Sequence, residues 1–71
     1  MKNNKTFEEV MTEYRTLSDS MRTFVRGSAV RSLQSYGVEE IGTSDVNNEI
    51  AGLYNTYGSF ESIIRYGLEL A

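Results

Sequence analysis

The sequence predicts an all-α fold, a small bundle of three to four helices packed on a long N-terminal helix. The main indication is a run of apolar residues in the N-terminal third, spaced alternately three and four positions apart. These residues are Phe7, Val10, Tyr14, Leu17, Met21 and Phe24. Such spacing places side chains on one face of a helix. In addition, the chain has no proline, and β-branched residues nowhere alternate with polar residues over the length of a strand.

The N-terminal helix has a clear start signal. Thr6 is a suitable N-cap, and Glu9 three residues later completes a capping box, so the helix is expected to begin at Phe7. Residues 1–5 are expected to form a flexible lead-in. Residues 6–71 are then expected to form a single helical domain.

The N-terminal helix is predicted to extend to Arg26, because the apolar spacing is unbroken up to that point. The polar residues 18–20 favour local hydrogen bonds and mark a weak point within it. Beyond Arg26 the apolar positions change phase. A kink or a new helix at Gly27-Ser28 would return Leu33 to an interior face.

The remaining helices are bounded by residues that commonly begin and end helices. Gly37 is expected to end the second segment in a left-handed conformation. Ser44 is the expected cap of a third helix, which Gly58 ends. Ser59 is expected to cap a final, mostly apolar helix over residues 60–70.

The length of 71 residues indicates one domain with little stability to spare, since such a chain buries only about 60 % of its unfolded surface. Small scaffolds are commonly reinforced by disulfides, metals or oligomerisation. The chain contains no cysteine, which excludes disulfides, and no histidine, which argues against structural zinc. Self-association as a dimer or higher oligomer and a monomer with a tightly packed helical core are therefore the two alternatives.

Charge is distributed unevenly along the chain. Residues 1–37 contain six basic and four acidic residues, whereas residues 38–71 contain one basic and six acidic residues. Such asymmetry can steer a partner or bring two copies together.

Localisation is predicted to be cytoplasmic, with no membrane partner. No apolar run approaches the roughly 20 residues that span a bilayer. The N-terminus also lacks the apolar core of a signal peptide.

Enzymatic chemistry is not expected. Without histidine and cysteine the chain lacks the commonest general base, a thiol nucleophile and the usual transition-metal ligands. It has no glycine-rich phosphate loop. Neighbouring carboxylates, as in Glu39-Glu40, can hold Mg²⁺ or transfer protons, but they are interpreted as solvated surface. No cofactor is predicted.

Protein binding has the most support from composition, because the chain contains five tyrosines and tyrosine is enriched at interfaces. The alternative is that these rings lie at the edge of the core. The acidic second half could also imitate a nucleic acid. The candidate interface residues are Tyr36, Tyr54, Tyr57, Tyr66, Glu39, Glu40, Asp45 and Glu49.

The predicted function is a non-enzymatic interaction module, a small regulator or inhibitor of a larger cytoplasmic protein. Short accessory proteins of the kind that bacteriophages encode have this general character. The alternative is a small DNA-binding or transcription-regulating protein that uses a basic face on the N-terminal helix. That face would consist of Arg15, Arg22, Arg26 and Arg31.

Overall fold

Four helices make up the bundle, and the computed structural model describes residues 4–71. The helices are α1 (Phe7–Arg15), α2 (Asp19–Ser35), α3 (Thr43–Tyr57) and α4 (Phe60–Leu70). No strand occurs in this part of the chain. The prediction of a small all-α bundle is confirmed. None of the helices in residues 4–71 has the length and apolar content needed to cross a bilayer.

The prediction of one long N-terminal helix is wrong, because the chain turns between Arg15 and Asp19. The amide of Leu17 donates to the carbonyl of Tyr14, which closes a tight turn after α1. Ser18 then begins a new helix, and its hydroxyl accepts a hydrogen bond from the amide of Met21 at 3.2 Å. The side chain of Ser18 thus satisfies an amide that the helix start leaves free.

The expected kink at Gly27-Ser28 is also absent, since α2 runs without interruption from Asp19 to Ser35. Because α2 starts anew after Ser18, its residues face directions different from those in a helix continued from α1. No kink at Gly27-Ser28 is then needed to bring them to the interior. The buried face of α2 consists of Val25, Ser28, Ala29 and Ser32. Phe24, the last member of the predicted apolar stripe, is 58 % exposed instead.

The start of α1 agrees with the prediction. The hydroxyl of Thr6 accepts from the amide of Glu9 at 3.2 Å, and the carboxylate of Glu9 accepts from the amide of Thr6 at 2.8 Å. These two bonds satisfy two amides that the helix start would otherwise leave without a partner. Hydrogen bonding of the Glu9 carboxylate with Thr6 also lowers the pKa of Glu9, chiefly through the Thr6 backbone amide and secondarily through the Thr6 side chain.

We expect Glu9 to make α1 sensitive to acid. Because the pKa of Glu9 is lower in the folded chain, its stabilising effect is complete above the ordinary carboxyl pKa. The effect is lost as the pH falls through the folded value. Thermal unfolding of the chain and of Glu9→Gln, followed between pH 6 and pH 3, should therefore converge at the acid end. Parallel loss of stability in both proteins would contradict this role.

Two glycines with positive φ end helices as predicted. Gly37 (φ 87°) follows α2, and the amide of Val38 donates back to the carbonyl of Leu33 at 3.1 Å. Gly58 (φ 91°) ends α3. The hydroxyl of Ser59 then caps α4, as expected, by accepting from the amide of Ser62. Left-handed backbone is unstrained only for glycine, so both turns depend on the missing Cβ.

The start of α3 differs from the prediction by two residues. The N-cap is Gly42, not Ser44, and the helix begins at Thr43. The carboxylate of Asp45 accepts from the amide of Gly42 at 2.9 Å. This bond stabilises the earlier start, because it satisfies a free amide and places negative charge at the helix N-terminus.

The central elements of the core are α2 and α3, not the N-terminal helix. Helix α2 packs against α3 and α4, and α3 also packs against α1 and α4. The core side chains come from all four helices, and Phe60 of α4 lies between Tyr14 and Tyr54, at ring centroid distances of 6.3 and 4.9 Å. The buried apolar residues are Val10, Met11, Tyr14, Val25, Ala29, Val46, Ile50, Ala51, Leu53, Tyr54, Phe60 and Ile63.

The crossing of α2 and α4 is unusually close at Gly67. A Cβ atom on Gly67 would lie 2.5 Å from the Cβ and 2.8 Å from the Cα of Ser28. These distances are shorter than van der Waals contact. Only glycine therefore permits this approach of the two backbones.

The segment before α1 is held at Lys5. Its amide donates to the side-chain oxygen of Asn55 at 2.9 Å, and the Asn55 side-chain nitrogen donates to the Lys5 carbonyl at 2.8 Å. The Lys5 ammonium pairs with Glu13, and this bond raises the pKa of Lys5. Of the predicted flexible lead-in, residues 1–3 lie outside the described residues, while Lys5 is bonded to α3.

Candidate protein-interaction surface

Three of the four predicted interface tyrosines lie close together. The rings of Tyr57, at the end of α3, and Tyr66, on α4, are stacked with centroids 4.8 Å apart and an interplanar angle of 27°. Tyr36 follows the last residue of α2, is 68 % exposed and adjoins the Tyr66 hydroxyl. We call Tyr36, Tyr57 and Tyr66 the tyrosine face.

A buried hydroxyl positions Tyr66. Ser32 of α2 is fully buried, and its hydroxyl shares a 3.0 Å hydrogen bond with the Tyr66 hydroxyl. The same Ser32 hydroxyl donates to the carboxylate of Glu49 on α3 at 2.6 Å. One side chain of α2 thus connects α3 and α4 directly beneath the tyrosine face. Buried polar groups that are fully bonded in this way define one arrangement of their neighbours.

The acidity of Tyr66 reflects these surroundings. Because Ser32 donates its proton to Glu49, Tyr66 donates to Ser32, and burial together with the neighbouring Tyr36 and Tyr57 raises the pKa of Tyr66. The net pKa lies above the ordinary tyrosine value, so Tyr66 carries a neutral phenol near neutral pH.

An open groove adjoins the stacked pair. It has a volume of about 190 Å³ and is lined by Tyr57, Ser62, Arg65, Tyr66 and Glu69. The groove offers aromatic surface together with hydroxyl, guanidinium and carboxylate groups. Such a mixture is suited to a peptide or a protein surface that has both apolar and polar parts.

Acidic residues are connected with the tyrosine face along the chain, through Ser32 and in the groove. Glu39 and Glu40 are exposed in the connector that follows Tyr36, and Glu49 and Glu69 are joined to the face through Ser32 and the groove. Asp45 is exposed and its carboxylate is bonded to the amide of Gly42, at the start of α3. Among the residues lining the groove, Arg65 carries the one positive charge.

Tyr54, the fourth predicted interface tyrosine, is a core residue. It is 8 % exposed, packs on Phe60, and donates its hydroxyl proton to Glu13 at 3.3 Å. This placement corresponds to the alternative that some rings lie at the edge of the core. Tyr54 therefore belongs to the core and is not itself presented to a partner.

The four candidate arginines are distributed over two helices. Arg15 ends α1, and Arg22 on α2 pairs with Asp19. Arg26 donates to the side chain of Asn47 on α3 at 3.4 Å, whereas Arg31 donates to a carbonyl of α4 at 3.1 Å. The break after Arg15 prevents these residues from forming one helical stripe.

Acidic side chains do not assemble into a metal centre in the described part of the chain. No three residues of the types that bind metals are close enough together there to hold an ion. In addition, every buried side-chain nitrogen or oxygen in residues 4–71 has a hydrogen-bond partner.

No family model, no curated protein and no solved structure gives a significant match to this chain. The tyrosine face is therefore interpreted from its own contacts, exposure and charge.

Proposed function

We propose that this chain is a non-enzymatic protein-interaction module, a small regulator or inhibitor that binds a larger cytoplasmic protein through the tyrosine face. The observation that supports this most directly is the stacked pair of Tyr57 and Tyr66 beside an open groove. Tyrosine is enriched among the residues that dominate binding energy, because it combines a large apolar ring with a hydroxyl.

Preorganisation of the surface supports the same proposal. Tyr66 is held by Ser32 and by the ring of Tyr57, so its side chain has little freedom to lose when a partner binds. Binding is tighter when contact residues are already ordered in the free protein. The groove is therefore suited to recognition by a nearly rigid surface.

The charge around the tyrosine face favours a partner with a basic contact surface. Glu39 and Glu40 follow Tyr36 in the chain, Glu49 is bonded to Ser32 and Glu69 lines the groove. Arg65 offsets only one of these charges. Complementary charge steers association and selects among partners. The partner's matching surface should therefore present lysine or arginine around an apolar centre.

Cross-linking combined with substitution tests this proposal. A photo-reactive residue in place of Glu40 should capture one protein from the native cytoplasm. Tyr36→Ala with Tyr57→Ala should weaken binding of that purified protein by about 30-fold or more, since such residues commonly contribute about 2 kcal/mol or more. Both side chains are substantially exposed, so helicity should be retained.

The matched control is Phe7→Ala, which removes an aromatic ring that is 40 % exposed on α1. This variant should bind the captured protein as the unchanged chain does. Equal affinity of the double tyrosine variant and the control would contradict the role of the tyrosine face.

DNA binding through the arginines is a second proposal with less support. Asp19 partly neutralises Arg22, and Arg26 and Arg31 donate hydrogen bonds to neighbouring helices. Phosphate binding depends on several basic side chains that are free to reach the backbone of the duplex. The internal bonds of these arginines limit that freedom.

A further inference from the structure

A second exposed surface lies between α2 and α4. Phe24 is 58 % exposed and Leu68 is 63 % exposed, and both border a depression of about 70 Å³ together with Gly27, Arg31 and Ile64. We call these five residues the α2–α4 patch. Large apolar side chains that protrude beside a depression are typical of a protein interface.

No packing contact within the bundle requires glycine at position 27. A Cβ atom at this position would meet nothing within 4 Å, in contrast to Gly67 on the facing helix. Glycine in a helix interior is less favourable than alanine, so the fold gains no stability from it. The bare backbone at Gly27 instead leaves room on the surface of α2, one turn from both Phe24 and Arg31.

We propose that a second copy of this chain covers the α2–α4 patch in a two-fold symmetric dimer. A two-fold interface uses the same patch on both copies, so protruding and recessed parts must both be present in it. Here Phe24 and Leu68 protrude, and the surface at Gly27 is recessed. Each copy can therefore place its exposed side chains against the recess of the other.

The charges at the edges of the α2–α4 patch complement each other. Arg31 is exposed on the α2 side, where it also donates to the carbonyl of Gly67, and exposed Glu61 precedes Ile64 by one turn on α4. When α2 of one copy faces α4 of the other, a pairing of Arg31 with Glu61 occurs twice by the two-fold symmetry. This opposition of sign favours a second copy over a partner of uniform charge, and it is independent of the function proposed for the tyrosine face.

Sedimentation equilibrium of the full chain tests the dimer directly. We expect a mass that rises with concentration toward twice the chain mass of 8.0 kDa. Phe24→Ser should weaken the dimer at least about tenfold with unchanged helicity, because Phe24 contributes exposed apolar area. Phe7→Ser, the matched change on α1, should leave the dimer unchanged. A monomer at every concentration, or equal weakening by both variants, would overturn the proposal.

Charge reversal tests the two-fold pairing. Arg31→Glu and Glu61→Arg should each weaken self-association by about tenfold, because each places two like-charged pairs at the interface. Mixing the two single variants should give a heterodimer, since both pairs are then of opposite sign. The double variant should form a homodimer again. Failure of the mixture and of the double variant to associate would overturn this arrangement.

Discussion

Replacement of Gly67 by alanine should destabilise the bundle by about 3 kcal/mol or more, because the new methyl group meets the backbone of Ser28. A flexible side chain could move aside, but a Cα atom at 2.8 Å requires separation of two helices. The total stability of a chain of this length is only about 4–10 kcal/mol. Gly67→Ala is therefore expected to leave little folded protein at 37 °C.

Urea unfolding followed by circular dichroism measures this effect, and Gly52→Ala is the matched control. Gly52 also lies inside a helix, but a Cβ atom there would meet nothing within 4 Å. Alanine at position 52 should consequently stabilise the chain by up to about 1 kcal/mol. The opposite signs of the two glycine substitutions separate a packing effect from helix propensity. Equal effects would contradict the close crossing.

Truncation of Ile50 to alanine should cost about 2–5 kcal/mol, because Ile50 is fully buried in the core face of α3. Removal of three carbon atoms there leaves a cavity that the neighbouring helices can fill only in part. Since Ile50 lies on the helix that contacts α1, α2 and α4, all four helices should unfold together.

The comparison for this prediction is Ile50→Val, which removes a single methyl group and should cost about 0.5–1.5 kcal/mol. Unfolding of both variants and of the unchanged chain is measured in urea at one temperature. Equal slopes of free energy against urea concentration serve as the check on two-state unfolding. If alanine at position 50 destabilised the chain no more than valine does, the placement of Ile50 in the core would be contradicted.

The ends of several helices could be predicted because their signals are local. The Thr6 and Glu9 pair, the glycines at 37 and 58, and Ser59 all act on backbone groups within four residues. Their geometry depends little on the rest of the fold. For this reason α4 was predicted with its observed bounds.

The break at Ser18 could not be decided from the apolar spacing. The apolar residues keep their spacing of three and four positions across Ser18, and this spacing is the same whether or not the backbone turns there. Ser18 was a recognisable weak point, but the packing of α1 on α3 and of α2 on two helices determines the turn. The start of α3 was placed two residues late, because the bond from the Gly42 amide to Asp45 favours Gly42 over Ser44 as the cap.

The candidate surface could be predicted only in outline. Tyr54 and Tyr57 are three residues apart on α3, yet Tyr54 is buried against Phe60 and Tyr57 is 41 % exposed. The position of α4 determines which of the two rings is buried. The spacing of residues within α3 does not reveal that position. Ser32 was missed because serine is usually a surface residue, and its burial depends on three helices meeting.

The link between Lys5 and Asn55 has a consequence for the order in which the chain folds. It joins residues 50 positions apart, and closing a flexible loop of that length costs about 3.5 kcal/mol before the contact is gained. The turn between α3 and α4 closes a much shorter loop. Folding should therefore start in the second half of the chain, with α1 docking last. Helix α1, which contains the first half of the apolar spacing, is then also the first part to detach when the folded chain fluctuates.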